Sequence, residues 1–223
     1  MEELQIYLEP TPTIDFDTAV IREKAFELTK NQEATTNKAQ SLFYFVRDQI
    51  KYSMYVPFHL LEHYKASTVL HRGEGYCVQK AVLMTTLARA IGIPTRLGFA
   101  DIINHLLPKE LIDIQGTNLF PYHGFVELYL NNRWTKVTPI FDLDMCEKNG
   151  IIPVDFDGTN DATFHPVDQD GKPHIEYLRY HGSFQDLPLD EILNAVKQIL
   201  GQEAYELWME ISLQCEQSYN APS

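Results

Sequence analysis

Apolar residues recur at helical spacing in several separate stretches of the chain. After Thr36, five of them follow at three- and four-residue steps and form a single stripe: Ala39, Leu42, Phe43, Val46 and Ile50. Comparable spacing predicts three further helices, at about residues 17–30, 188–200 and 202–217. The chain therefore contributes several amphipathic helices to a common core.

Alternation of apolar and polar residues predicts four strands, at about residues 4–8, 96–103, 123–130 and 133–138. The last two are separated by Asn131 and Asn132, and two turn-forming residues between β-rich runs are the signal of a tight hairpin. One face of the first hairpin strand is apolar and is expected to pack on the core; it consists of Val126, Leu128 and Leu130.

Three segments show neither periodicity and are predicted to be irregular. They are residues 52–64, residues 104–121, which resemble an insertion, and residues 153–174, which are rich in Asp, Gly, Pro and His. No internal repeat and no linker composition divides the chain. The sequence therefore predicts one α+β domain spanning residues 1–223.

Composition and charge narrow the class of partner. Of the 223 residues, 44% are hydrophobic and 12% aromatic, which is enough for a sizeable core and excludes a disordered chain. The 18 Lys and Arg against 31 Asp and Glu leave a net charge of −13. Because phosphate groups and anionic lipids both attract clustered basic residues, we expect neither a nucleic-acid partner nor a membrane partner.

The compartment is inferred from the cysteines and from the hydropathy pattern. No stretch approaches the roughly 20 apolar residues that span a bilayer, and the first residues, MEELQIYLEP, carry acids where a signal peptide needs basic residues. The three cysteines are odd in number and far apart, which fits free thiols in a reducing compartment. We therefore expect a cytoplasmic protein.

Cys77 is the most informative single residue. It follows Gly73 and Gly75, and a run of helix formers begins at or beside it and ends near Gly92 and Pro94. A thiol at a helix start feels the positive end of the helix dipole and unpaired backbone N–H groups, which favour the thiolate. The same N–H groups could stabilise an oxyanion on an attacked carbonyl. The alternative is a small buried residue in the core.

His123 is the candidate base for this thiol. It opens a predicted strand, and a histidine held at the end of a strand is well placed to meet a thiolate at a neighbouring helix start. There it would deprotonate the thiol and later protonate the leaving amine. The alternative is an ordinary surface histidine.

Three motifs carry a resemblance to a known family. GEGYC before a helix, then LARAIGIPTR, then HGFVELYLNNRW with a following Pro resemble the transglutaminase-like superfamily over about residues 38–142. The resemblance implies a papain-like α+β core, with the nucleophilic Cys at a helix N-terminus packed on an antiparallel sheet. By this resemblance, Cys77 is the nucleophile and His123 the general base and acid.

The third catalytic residue departs from the family pattern. The superfamily usually has Asp-Pro after the hairpin, whereas this chain has Thr138-Pro139, and Asp142 follows four residues later. An orienting group must accept a hydrogen bond from the second imidazole nitrogen. We expect Asp142 to do this, with Thr138 as a neutral alternative. Asp142 could instead cap a helix at residues 143–149.

A second motif points to metal chemistry. His59, Glu62 and His63 match the H-x-x-E-H pattern of one class of zinc peptidases, in which Glu62 would be the base. So short a pattern arises easily by chance in a chain with 8 His. We therefore predict no metal and no cofactor, and a metal-dependent peptidase remains the third hypothesis.

The leading hypothesis is a cysteine-dependent acyl-transfer enzyme that acts on protein or peptide amides through a thioester. Water as the acceptor would make it a peptidase or amidase, and a primary amine would make it a transglutaminase; the resemblance allows both. We favour hydrolysis, because the accessory domains of animal transglutaminases are not evident. The alternative, supported by Thr138 in place of Asp, is a catalytically inactive binding domain of the same fold.

Overall fold

The computed structural model describes residues 2–220. Its helices are α1 (Glu2–Gln5), α2 (Ala19–Thr29), α3 (Thr35–Gln49), α4 (Ala66–Arg72), α5 (Cys77–Ala90), α6 (Lys109–Gln115), α7 (Leu143–Asn149), α8 (Leu189–Leu200) and α9 (Gln202–Asn220). Its strands are β1 (Lys51–Tyr52), β2 (Glu74–Gly75), β3 (Thr95–Asn104), β4 (Leu119–Leu130), β5 (Arg133–Val137) and β6 (Ile175–Phe184). Short 3₁₀ turns occur at Ile6–Leu8 and Leu61–Tyr64.

A four-stranded antiparallel sheet organises the molecule, in the order β5-β4-β3-β6. The hairpin between β4 and β5 turns at Asn131 and Asn132, which have φ of 50° and 61°. Two consecutive positive φ angles give the tight turn whose twist matches antiparallel strands, and Asn tolerates them well. The predicted hairpin is thus confirmed.

Helix α5 is the centre of the core. Every residue from Val78 to Arg89 is buried, and the helix packs against β4 on one side and against α2, α3 and α4 elsewhere. The predicted stripe of α3 and the predicted apolar face of β4 are buried as well. Burying a helix on all sides fixes its first residue firmly relative to the sheet, which matters for Cys77.

The structure corrects two expectations and refines two others. Residues 4–8 form helical turns and not the predicted strand. Strand β6 was not predicted, because only one of its ten residues is buried and its regular structure comes from pairing with β3. The segments predicted to be irregular contain short elements, β1 in one and α6 in another.

The helices of residues 2–220 include none that is both long and apolar enough to cross a membrane.

Candidate active site

Cys77 is the first residue of α5, as predicted, and the backbone around it is tightly arranged. Gly73 ends α4 with a φ of 73°, in the left-handed region that favours glycine. Gly75 then pairs with Tyr52 in the small parallel sheet of β1 and β2. The chain therefore leaves α4, makes one short strand and starts α5 at the thiol within a few residues.

Burial dominates the electrostatics of the thiol. Burial raises the pKa of Cys77 to about 11, although backbone N–H groups of Gly124 and Val78 hydrogen-bond to the sulfur and lower it in part. The N–H groups thus act on the thiol as expected, and burial of this half-buried side chain acts in the opposite direction. The cost of burying the charged form exceeds the stabilisation by the N–H groups.

His123 lies in β4, opposite Ala100 of β3, and is almost fully buried. Its Nε2 has no hydrogen-bond partner in the part of the chain that the structure describes. Burial lowers the pKa of His123 to about 3, and no neighbouring charge opposes this shift. At neutral pH the imidazole is therefore uncharged, and it can take up a proton only where other interactions compensate for the burial of the charge.

Cys77 and His123 line the same cavity, which has a volume of about 110 Å³. Close packing at Gly124 brings their elements together, since a Cβ there would lie 2.9 Å from the Cα of Val78. Only glycine fits this approach of β4 to the start of α5. Within residues 2–220 no direct hydrogen bond joins the Cys77 thiol and the His123 imidazole; the groups that hydrogen-bond to the sulfur are backbone N–H groups.

The structure separates the two candidates for the third residue. Asp142 caps α7: one carboxylate oxygen accepts the Met145 N–H at 2.9 Å, and the other accepts the Tyr52 N–H at 2.9 Å. It makes no described contact with His123, so the structure supplies the capping role and gives the orienting role no support. Thr138 is fully buried, and its hydroxyl lies beside the side chain of Tyr177.

Two aromatic residues near His123 were not predicted from the sequence. The Phe164 ring lies 5.2 Å from the imidazole, centroid to centroid, and the Tyr177 ring lies 6.3 Å away. Tyr177 is 40% exposed; its partial burial raises its pKa, and a hydrogen bond with the neighbouring Thr138 hydroxyl lowers its pKa in part. Phe164 lies in the irregular 153–174 segment and Tyr177 in β6, and no local pattern in the sequence marks either as close to His123.

The three residues of the alternative metal-peptidase hypothesis, His59, Glu62 and His63, do not come together. Glu62 is exposed and pairs with Lys65 at 2.7 Å, whereas the Nε2 atoms of both histidines face Glu216 of α9, at 3.4 and 3.1 Å. His59, His63 and Glu216, in place of Glu62, form a possible donor set for a metal ion.

The hydrogen bonds of His63 argue against metal binding. Its Nδ1 accepts the Leu60 N–H at 3.2 Å, which leaves the proton of the neutral ring on Nε2. A metal would need the lone pair of that same Nε2, whereas here the Nε2–H donates to Glu216. The cluster is therefore better described as a hydrogen-bonded anchor that holds α9 against residues 59–63.

A cysteine at a helix start and a histidine on a strand line one cavity beside an antiparallel sheet, which is the placement expected from the sequence resemblance. Residues 22–139 match the family model of the transglutaminase-like superfamily. Because the match spans more than half of the chain, the chain belongs to this superfamily. Comparison with curated proteins finds no significant match.

Two solved structures resemble the chain at low identity. One, from Cytophaga hutchinsonii, is described as a "putative cysteine protease"; it is 14% identical with a TM-score of 0.47, and the alignment covers 84% of this chain and 57% of that one. The other, from Parabacteroides distasonis ATCC 8503, is described as a "putative protease"; it is 15% identical with a TM-score of 0.40, over 57% and 25% of the two chains. The chain thus spans little more than half of the first structure.

Proposed function

We propose that this protein is a cysteine-dependent acyl-transfer enzyme that cleaves amide bonds, with Cys77 as nucleophile and His123 as base and acid. One observation carries the proposal: the thiol and an uncharged imidazole line one cavity, and backbone N–H groups point at the sulfur. Nucleophile, proton acceptor and oxyanion donors are the minimum set for this chemistry.

The reaction proceeds in two half-reactions. The Cys77 thiol passes its proton to His123 as the sulfur attacks the amide carbon, and the backbone N–H groups at the start of α5 stabilise the oxyanion. The C–N bond breaks, and the amine leaves with the proton from His123, which yields a thioester. Water then loses a proton to His123 and attacks the thioester. The carboxylic acid is released, and the sulfur recovers its proton.

The pKa shifts support a neutral pair in the resting site. With the pKa of Cys77 raised to about 11 and that of His123 lowered to about 3, both groups are neutral at pH 7. The resting site is therefore a thiol beside an imidazole and not an ion pair. Proton transfer accompanies attack on a bound substrate, where the oxyanion donors compensate for the buried imidazolium.

We assign Nδ1 of His123 to proton transfer, because Nε2 is the buried nitrogen. Thr138 is the proposed acceptor for Nε2, because it stands at the position after the hairpin where the superfamily has its Asp, and its buried hydroxyl lies beside Tyr177, whose ring is 6.3 Å from the imidazole. A hydroxyl stabilises an imidazolium less than a carboxylate does. The proposed enzyme should therefore be slower than a relative with an Asp at this position.

The test is turnover of a peptide library, followed by mass spectrometry with and without a primary amine such as glycine ethyl ester. The proposal predicts new carboxyl termini or amine adducts that require Cys77 and are lost in Cys77→Ala. Cys215→Ala, which changes a thiol of α9, is the matched control and should retain turnover. Products that persist in Cys77→Ala would contradict the proposal. The ratio of acid to amine adduct separates hydrolysis from transamidation.

A second candidate function is a binding domain without catalysis. It is favoured by the lack of any described carboxylate on His123 and of any described hydrogen bond between the thiol and the imidazole. In that case no library peptide is turned over, and peptides that bind the protein bind Cys77→Ala equally well.

A further inference from the structure

The cavity that adjoins Cys77 is built from apolar side chains. Its lining includes Met54, Phe58, Phe120, Leu193, Val196 and Trp208, and no Asp, Glu, Lys or Arg contributes to it. This is unusual in a chain with a net charge of −13, because exposed surfaces elsewhere carry the acidic residues. We infer that the acyl side of the substrate carries a compact apolar group, branched aliphatic or a single aromatic ring, and that this group binds in the cavity beside the thiol.

The size of the cavity supports this class of group. Its volume is about 110 Å³. An apolar protein cavity of roughly 150 Å³ binds benzene, so a group the size of a Leu or Phe side chain matches the space and a much larger one does not. A charged side chain would lose its hydration here without gaining a partner, which strongly disfavours it.

One side of the cavity comes from the C-terminal helices. Leu193 and Val196 of α8 and Trp208 of α9 face it, although the superfamily match ends at residue 139. The inference therefore concerns residues outside the matched core. It rests on the proposed function only in assuming that the bound group is part of an acyl substrate.

These helices are held in place by specific polar contacts. Ser212 of α9 accepts the Phe58 N–H at 2.8 Å and lies 2.9 Å from Nδ1 of His59. Glu216, one turn further along, contacts His59 and His63. Because α9 is fixed to the segment that supplies Phe58, the cavity has a defined shape before any ligand binds.

The experiment measures alkylation of Cys77 by maleimides that differ only in their N-substituent: ethyl, benzyl and 2-carboxyethyl. In each case the sulfur adds to the double bond and the thiol proton goes to the adjacent carbon. Because the reacting group is the same, differences in alkylation rate show how well each substituent binds beside the thiol. Mass spectrometry gives the rate at each cysteine. Partly exposed Cys215 of the same molecule is the internal reference.

We compare the ratio of the benzyl to the carboxyethyl alkylation rate at the two cysteines. We expect this ratio to be at least tenfold higher at Cys77 than at Cys215. Leu193→Glu should remove this preference. Ile199→Glu is the matched control, because Ile199 is an exposed apolar residue of α8 that does not line the cavity. Equal preferences at the two thiols, or a preference that survives Leu193→Glu, would overturn the inference.

A milder variant covers the case in which Leu193→Glu does not fold. Leu193→Phe narrows the cavity without adding charge. It should lower the rate of Cys77 alkylation by the benzyl reagent at least threefold and leave the rate with the ethyl reagent unchanged. Equal slowing of both reagents would overturn the inference.

The two proposals fail separately. A preference of Cys77 for the benzyl maleimide without any amide turnover would contradict the proposed function and still support an apolar binding site. Turnover of peptides with charged and apolar side chains at equal rates would keep the function and overturn the inferred substrate class.

Discussion

Two buried histidines of this protein have opposite surroundings. His63 is saturated with partners: its Nδ1 accepts the Leu60 N–H, and its Nε2 donates to the carboxylate of Glu216 at 3.1 Å. His123 lies beside the thiol cavity, and its Nε2 has no partner in the described structure. One histidine has a carboxylate but no nucleophile, and the other lines a cavity with a nucleophile but has no carboxylate.

The difference shows how a neighbouring charge modifies the effect of burial. Burial lowers the pKa of both histidines, but Glu216 raises that of His63 in part, whereas nothing opposes the shift at His123, which falls to about 3. His63 is thereby suited to anchoring α9. The His123 imidazole stays uncharged near pH 7, so it can accept a proton only when the reaction supplies compensating interactions.

The largest expected effect comes from changing His123, the proposed base. His123→Gln removes the proton acceptor and should lower kcat/KM for amide cleavage about 10²–10⁴-fold. His63→Gln is the matched control, and its kcat/KM should change far less, since His63 does not line the cavity. Steady-state kinetics on both variants test this, and equal losses would abolish the functional distinction between the two histidines.

Supplying the missing charge should make His123 resemble His63. Thr138→Asp places a carboxylate after β5 and should raise the pKa of His123 by at least one unit. Wild-type kcat/KM should show no acidic loss between pH 5 and 7, because the pKa of about 3 keeps His123 neutral there. In Thr138→Asp an acidic limb should move towards this range.

Thr138→Val is the control for that change, because it removes the hydroxyl at nearly constant shape. It should leave the pH profile without an acidic limb. NMR titration of the imidazole measures the shift directly. A His123 pKa that is the same in wild type and Thr138→Asp would show that residue 138 does not reach the ring.

Removing the carboxylate charge of Glu216, which lies beside His63, should lower the stability of the protein and leave catalytic activity unchanged. Glu216→Gln weakens the contacts to His59 and His63 and should cost about 1–2 kcal/mol, which corresponds to a Tm lower by about 2–8 °C. Glu210→Gln, an exposed acid of the same helix without a described hydrogen bond, is the control. Calorimetry that finds equal Tm values for the two variants would remove the anchoring role.

The smallest expected change concerns Asp142. Asp142→Ala removes the cap of α7 and should cost about 1–2 kcal/mol of stability. Because both carboxylate oxygens accept backbone N–H groups, the kcat/KM of the folded protein should stay within a fewfold. Urea unfolding and kinetics on one sample measure both. A loss of activity above about 100-fold would restore Asp142 as the orienting residue, since that is the scale of general acid–base catalysis.

The sequence predicted those features of the fold that are determined by residues close together in the chain. The spacing of Leu42, Phe43 and Val46 identified α3, and Asn131-Asn132 identified the hairpin, because each signal lies within one element. Cys77 at the start of α5 followed from the glycines before it and from the helix formers after it.

Residues brought together by distant segments could not be found in this way. Glu216 lies 153 positions from His63, and nothing near either residue announces the pair. Tyr177 reaches the site only because β6 pairs with β3. The pKa of Cys77 shows the same division: the helix start is a local feature that lowers it, as expected, whereas the burial that raises it is produced by the whole fold.

The most direct test of the central claim is to trap the acyl-enzyme. The protein is mixed with an activated ester of an apolar acyl group, quenched in acid and mapped by mass spectrometry. The account predicts one hydroxylamine-sensitive acyl group on Cys77, formed at least 100-fold more slowly in His123→Gln, which is the lower end of the range for a general base. Acylation of Cys77 at equal rates in both proteins, or no thioester at Cys77, would contradict it.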